Sequence, residues 1–241
     1  MDTLHLCLRL ASLATLAGTA RSVAPTGMAA RLIERLKLMK IPDEGCWFAL
    51  TYRSPDTVTG PALPARYRGM PHVGGSAIYA LATREDFSAM HRLQTDELWH
   101  YYGGDPLELL LLYPDGSGAT QVLGPDVFHG QQPQIVVPRG TWQGSRPVRD
   151  HPDAYTFFGN TLAPGFEACD FEIGYRDELQ QAYPAFAALI AELTRAEFLT
   201  RRSIAAAPLP ARSVLNPTGP AAPSAPTQAD PASASDSRSI R

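Results

Sequence analysis

The segment FSAMHRLQTDELWHYYGGDPLELLLL, residues 87–112, decides the fold. It sets His91, Asp96, Glu97 and His100 beside Trp99, Tyr101 and Tyr102, turns at Gly103-Gly104, and continues as a nearly unbroken apolar run. Aromatic and leucine-rich stretches punctuated by Gly, Pro and Asp read as strands, and titratable groups inside them line a pocket rather than a surface. Side chains alternate along a strand, so Glu97, Trp99 and Tyr101 share one face while Leu98, His100 and Tyr102 share the other. Further on, VPRGTWQG (137–144) is a second short strand with a tight turn. These two segments are expected to meet inside one closed barrel.

Working outward, residues 29–40 (AARLIERLKLMK) carry Leu32, Ile33, Leu36 and Met39 at helical spacing and read as an amphipathic helix stopped by Pro42. Strands are expected over 46–53, 76–82, 86–90, 97–102, 107–113, 119–123, 134–137, 154–162 and 171–173, with a hairpin turn at PDGSG (114–118). Residues 54–75, rich in Pro and Gly, form a loop long enough to suggest a function. Residues 184–195 read as a second amphipathic helix with Pro184 in its first turn. Many short strands framed by a helix at either end make a mainly β protein, an antiparallel sandwich or jelly-roll barrel.

Composition narrows the function. The 241 residues are 44% hydrophobic, enough for a sizeable core, with a formal net charge of −3. No Lys/Arg stripe interleaved with aromatics appears, which argues against nucleic acid as a partner. Cys7, Cys46 and Cys169 are widely spaced, matching neither a disulfide framework nor a zinc pattern, and point to reduced thiols and a cytoplasmic setting. Residues 1–27 form an extension or a false start before Met28: Arg9 interrupts the apolar run, and Asp2 stands where an export signal wants positive charge. A targeting peptide stays open there, but the run is shorter than the roughly 20 apolar residues of a membrane span. Residues 202–241, rich in Ala, Pro and Ser, cannot bury enough surface to offset the entropy of ordering and read as a disordered tail. The folded domain is expected over 28–201.

The segments Glu44 to Ser54 (EGCWFALTYRS), Ala77 to Tyr79 (AIY), FSAMHR…DELWHYYGGDPLEL, VPRGTWQG and APGFEACDFEIG (163–174), in this order, resemble the cupin 5-like group of the cupin superfamily. The resemblance spans the chain from Met28 to Arg195. It implies a double-stranded β-helix barrel, commonly paired as a homodimer and suited to a small-molecule ligand, but no particular reaction. Two departures bear on chemistry. Cupin metal sites draw histidines from an HxH pair and from a PxGxxH segment, whereas here His91 has no such partner and Gln143 stands at the last position. The family's His-Pro-Glu-Gly-Gly-like opening is replaced by Pro42-Asp43-Glu44-Gly45-Cys46.

A neutral imidazole held by a carboxylate is a good general base, so His91 with Glu97 forms the candidate catalytic pair, and Tyr79 or Tyr101 the proton donor opposite. This His-base, Tyr-acid arrangement resembles sugar-nucleotide epimerases of the superfamily. Arg53 or Arg139 can hold an anionic group, and Glu44, Trp99 and Gln143 complete the ligand-binding candidates. Three readings compete: a metal-independent epimerase or isomerase acting on a sugar-like or carbonyl substrate; a metal-dependent oxygenase or lyase using His91, Glu97 and either His100 or Gln143; and a non-catalytic ligand-binding barrel. Which metal, if any, would bind is left open. His100 is expected at a sheet or dimer contact, and Asp170 and Glu172 at the solvent face.

Overall fold

In the computed structural model, which describes residues 24–201, strand pairing builds two sheets that face each other across one apolar layer. The strands are β1 (Met39–Lys40), β2 (Trp47–Arg53), β3 (Thr57–Val58), β4 (His72–Val73), β5 (Ser76–Thr83), β6 (Ser88–Arg92), β7 (Glu97–Gly104), β8 (Leu107–Leu112), β9 (Gly118–Leu123), β10 (Gln134–Val137), β11 (Trp142–Pro147), β12 (Tyr155–Leu162) and β13 (Glu172–Ile173). One sheet runs β1-β2-β5-β12-β7-β10 and the other β13-β6-β11-β8-β9, with β3 and β4 forming a separate ribbon. Every pairing between these strands is antiparallel, and the order of strands interleaves distant parts of the chain, as expected of the jelly-roll barrel.

The alternation of β8 explains why residues 107–112 are leucine-rich on both faces. Leu107, Leu109 and Leu111 enter the barrel with Trp99, Ile135, Val137 and Phe158. Leu110 and Leu112 point outward, where Met90 joins them under the C-terminal helices through Leu179, Ile190 and Leu193. A sheet covered on both faces needs continuous apolar runs, and 107–112 is one.

Three expectations about elements are corrected. The first helix, α1 (Gly27–Leu36), stops before Pro42: Lys37 adopts a left-handed conformation (φ 54°), and the Leu38 and Lys37 N–H groups bond to the Ile33 and Glu34 carbonyls as a Schellman motif. The C-terminal region holds two helices, α2 (Arg176–Ala182) and α3 (Ala187–Glu192), with a 3-10 turn at Pro184–Phe186, where one helix was expected. The long loop over 54–75 contains the β3–β4 ribbon and two 3-10 turns. The expectations for residues 1–23 and 202–241 lie outside the described residues. Among the described residues no helix is long and apolar enough to cross a membrane.

Candidate functional site: a buried polar cluster inside the barrel

Glu97 opens β7, Gln143 lies on β11, and His91 lies on β6, directly opposite Gln143 in the ladder. Gln143 also pairs with Leu111, an inward residue of β8, so strand parity turns Gln143 into the barrel. His91 was expected just after a strand; instead β6 runs through Arg92 and carries the imidazole inside it, 3% exposed. Glu97, Trp99 and Gln143 are likewise buried.

The hydrogen bonds fix every donor in this cluster. Trp99 Nε1 can only donate, and it faces Gln143 Oε1 at 3.0 Å and Glu97 Oε2 at 3.1 Å. The other end of the Gln143 amide therefore presents its N–H groups to Glu97 Oε2 and to His91 Nε2, the latter at 3.3 Å. His91 Nδ1 donates to the Ala89 carbonyl at 2.8 Å, so the neutral ring keeps its lone pair on Nε2, toward the amide. The tautomer is thus held by backbone, with Gln143 interposed between His91 and Glu97, rather than by the carboxylate as expected. Phe171 stacks on the His91 ring (centroids 5.4 Å apart) and Phe158 on Trp99 (4.9 Å), closing both sides with apolar surface.

Removal from water pushes the Glu97 carboxyl up to about 7; the neighbouring His91 and its Gln143 and Trp99 donors pull the other way, and Glu44 adds to the rise. Glu44 is itself buried, accepting from Ser88 Oγ at 2.7 Å and from Cys46 Sγ at 3.2 Å. Its loop is pinned by bonds to its carbonyl from the Ala89 N–H and Arg195 Nε. Gly45 permits this: its φ is +98°, and a Cβ there would collide with the Arg195 guanidinium. Burial raises the Cys46 thiol well above its ordinary range, so it is a packing group and not a nucleophile.

Among the described residues, three buried side-chain atoms lack a hydrogen-bond partner: Thr141 Oγ1, Ser145 Oγ and Asn160 Nδ2. Ser145 shares the parity of Gln143 on β11 and pairs with inward Leu109; Asn160 pairs with inward Trp99 and Ile78. Thr141 lies two residues before Gln143. Native interiors rarely leave such groups unsatisfied, and Ser145 and Asn160 share the inward face with the Gln143 cluster.

The other sequence candidates lie elsewhere. Tyr79 is on the outer face of its sheet, 37% exposed and packed edge-on against Tyr102, so it does not share the cluster. Tyr101 is on the inward side as expected, but its hydroxyl donates to the Gly104 carbonyl at the far end of β7. Arg53 pairs with Glu167 at 2.6 Å, and Arg139 with Asp96 at 3.5 Å; both are exposed and engaged away from the cluster. His100 points outward, bonded to Thr161 Oγ1 and Gln134 Nε2. Asp170, expected at the solvent face, is buried against His72, while Glu172 is half-buried on Arg92. Ser88, Ser145, Asn160 and His72 escaped the sequence reading. The first three show only as polar residues at inward parity, which requires the register to be known.

The donor set does not fit a cupin metal centre. The two groups that would ligate an ion, His91 Nε2 and Glu97 Oε2, both face the Gln143 N–H groups, and the Trp99 N–H on Gln143 Oε1 holds the amide in that orientation. An amide nitrogen is no ligand for a divalent transition metal.

Comparison with known proteins agrees with this architecture. A family model described as the cupin superfamily (DUF985), Cupin_5, matches residues 30–174. Among solved structures, a hypothetical protein from Leishmania major is 30% identical with a TM-score of 0.61, over 68% of this chain and 97% of that one. A protein from Shewanella oneidensis is 30% identical with a TM-score of 0.59, over 68% of this chain and 96% of that one. No curated protein matches the chain. With a barrel of the expected kind and a family match over more than half its length, the chain belongs to the Cupin_5 family of the cupin superfamily.

Proposed function

We propose that this barrel binds a small polar metabolite, sugar-like or carbonyl-bearing, and moves a proton on it as a metal-independent epimerase or isomerase. The observation that supports the reading is a carboxyl pushed up to about 7 inside a barrel onto whose interior the unpartnered side chains of Ser145 and Asn160 also face. A group with that affinity takes up and releases a proton near neutral pH with little free-energy cost in either direction. In this mechanism Glu97 exchanges the proton with the ligand. His91, held at Nδ1 by the Ala89 carbonyl, turns Nε2 toward a ligand hydroxyl when the Gln143 amide yields its place. Ser145 and Asn160 orient the ligand's remaining oxygens.

The test is to denature protein purified from its natural host, identify any released small molecule by mass spectrometry, and incubate that molecule with the enzyme in deuterium oxide. Wild type is expected to exchange a carbon-bound hydrogen of the ligand, and Glu97→Gln to bind without exchange. Binding with no exchange in wild type would leave a carrier barrel instead. Absence of any released molecule, together with no thermal shift on a sugar and keto-acid panel, would overturn the reading.

A homodimer is part of the same proposal. Tyr52, Tyr79, Tyr102 and Val136 leave apolar surface on the outer face of the six-stranded sheet, 37% to 54% exposed, a face suited to a second copy. So is a cytoplasmic setting, which accords with the free thiols of Cys46 and Cys169.

A further inference from the structure

We propose that His72, Cys169 and Asp170 form a divalent-metal site of zinc type outside the barrel cluster, joining the β3–β4 ribbon to the turn before β13. Their ligand atoms, one imidazole nitrogen, one thiol sulfur and one carboxylate oxygen, all lie within 4.8 Å of one another. Nitrogen, sulfur and oxygen are the three donor types that zinc takes, and three protein ligands leave one position for water.

His72 is the residue that argues for an ion. It is fully buried, yet both its ring nitrogens face oxygen acceptors: Nδ1 meets the Met70 carbonyl at 2.9 Å and Nε2 meets Asp170 Oδ2 at 2.6 Å. A neutral imidazole has one N–H and cannot satisfy both, so this geometry calls for a second positive centre at Nε2, either a proton or a metal. The bond from Nδ1–H to a backbone carbonyl is the outer-shell contact that orients metal-binding histidines and presents Nε2 to the ion. The Tyr67 ring, 4.4 Å from the imidazole and tied through its hydroxyl to Thr95, fixes the ring plane.

Cys169 and Asp170 are adjacent on the 3-10 turn Ala168–Asp170, with Cys169 Sγ 3.7 Å from Asp170 Oδ1. At zinc bond lengths, tetrahedral donors stand roughly 3.3–3.7 Å apart, so the His72–Asp170 pair would open by roughly 0.7 Å, while the thiol already stands at that spacing from the Asp170 carboxylate. Cys169 is exposed, which provides the entry path. The metal takes the thiolate form of a cysteine, so binding releases the thiol proton and affinity rises with pH.

The test is cobalt(II) titration of the full chain after chelator dialysis. One equivalent is expected to give thiolate-to-cobalt charge-transfer absorption, abolished by Cys169→Ser, an exposed position whose change leaves the fold intact. His72→Gln, checked for folding by circular dichroism, removes a ligand and is expected to weaken binding by at least about 10-fold, the least that loss of an outer-shell contact costs. Should it fail to fold, Asp170→Asn replaces it with the same expectation. No charge-transfer band in wild type, or a band that persists in Cys169→Ser, overturns the site.

Discussion

The Gln143 side chain donates to the Glu97 carboxylate across the barrel, so one amide ties β11 of one sheet to β7 of the other. The same amide accepts from Trp99 and donates toward His91, and no other side chain in the cluster reaches all three. Gln143 is therefore the residue on which the interior polar network turns.

Replacing that amide with an apolar group of similar size should be costly. In Gln143→Leu, His91 Nε2 loses its buried partner and Glu97 loses a donor. Leaving a buried polar group unsatisfied costs about 1–3 kcal/mol. Urea unfolding is expected to show a lower midpoint with an unchanged slope; a midpoint equal to that of wild type would show that the network contributes nothing.

Stability should depend on pH through Glu97. Its carboxyl titrates at about 7 in the fold against an ordinary value of 4.5, so between those values the folded state holds a proton that the unfolded chain has released. The folded state binds more protons there, and stability falls as pH rises through this window, by on the order of 3 kcal/mol, then levels off above it. Denaturant titrations across the window should show this decline in wild type and its loss in Glu97→Gln.

Histidine at position 143 would supply what the cluster lacks for a metal. Gln143→His places a second imidazole beside His91 and Glu97 and removes the amide donor that faces both. In a Cys169→Ser background, to silence the outer site, elemental analysis is expected to find stoichiometric transition metal in the Gln143→His protein and none in the background protein. Metal held equally by both would contradict the donor-set argument.

Close packing between β12 and its neighbours gives a stability test unrelated to chemistry. A Cβ on Gly159 would lie 2.6 Å from the Tyr102 ring and 2.8 Å from the Ile78 carbonyl oxygen, which is backbone and cannot swing aside. Gly159→Ala is expected to cost about 1–3 kcal/mol, read as a drop in thermal midpoint. Gly103→Ala, on neighbouring β7 with open space around it, serves as the control and should unfold near the wild-type temperature.

Sequence alone was enough for the longer strands, though not for the short β1, β3 and β4, and for the inward face of β7. The alternation of Glu97, Trp99 and Tyr101 and the leucine run of β8 are local patterns, set by the two-residue repeat of an extended chain and readable one segment at a time. What each polar side chain touches was decided only in the tertiary structure. Tyr79 faces outward, Tyr101 turns its hydroxyl to its own strand end, and Asp170 goes inward to His72, because those outcomes depend on ladder register, strand bulges and loop paths linking residues far apart in the chain. The same holds for the Glu97 proton affinity. Its rise comes first from burial in the assembled barrel, and no stretch of neighbouring sequence encodes that exclusion of water.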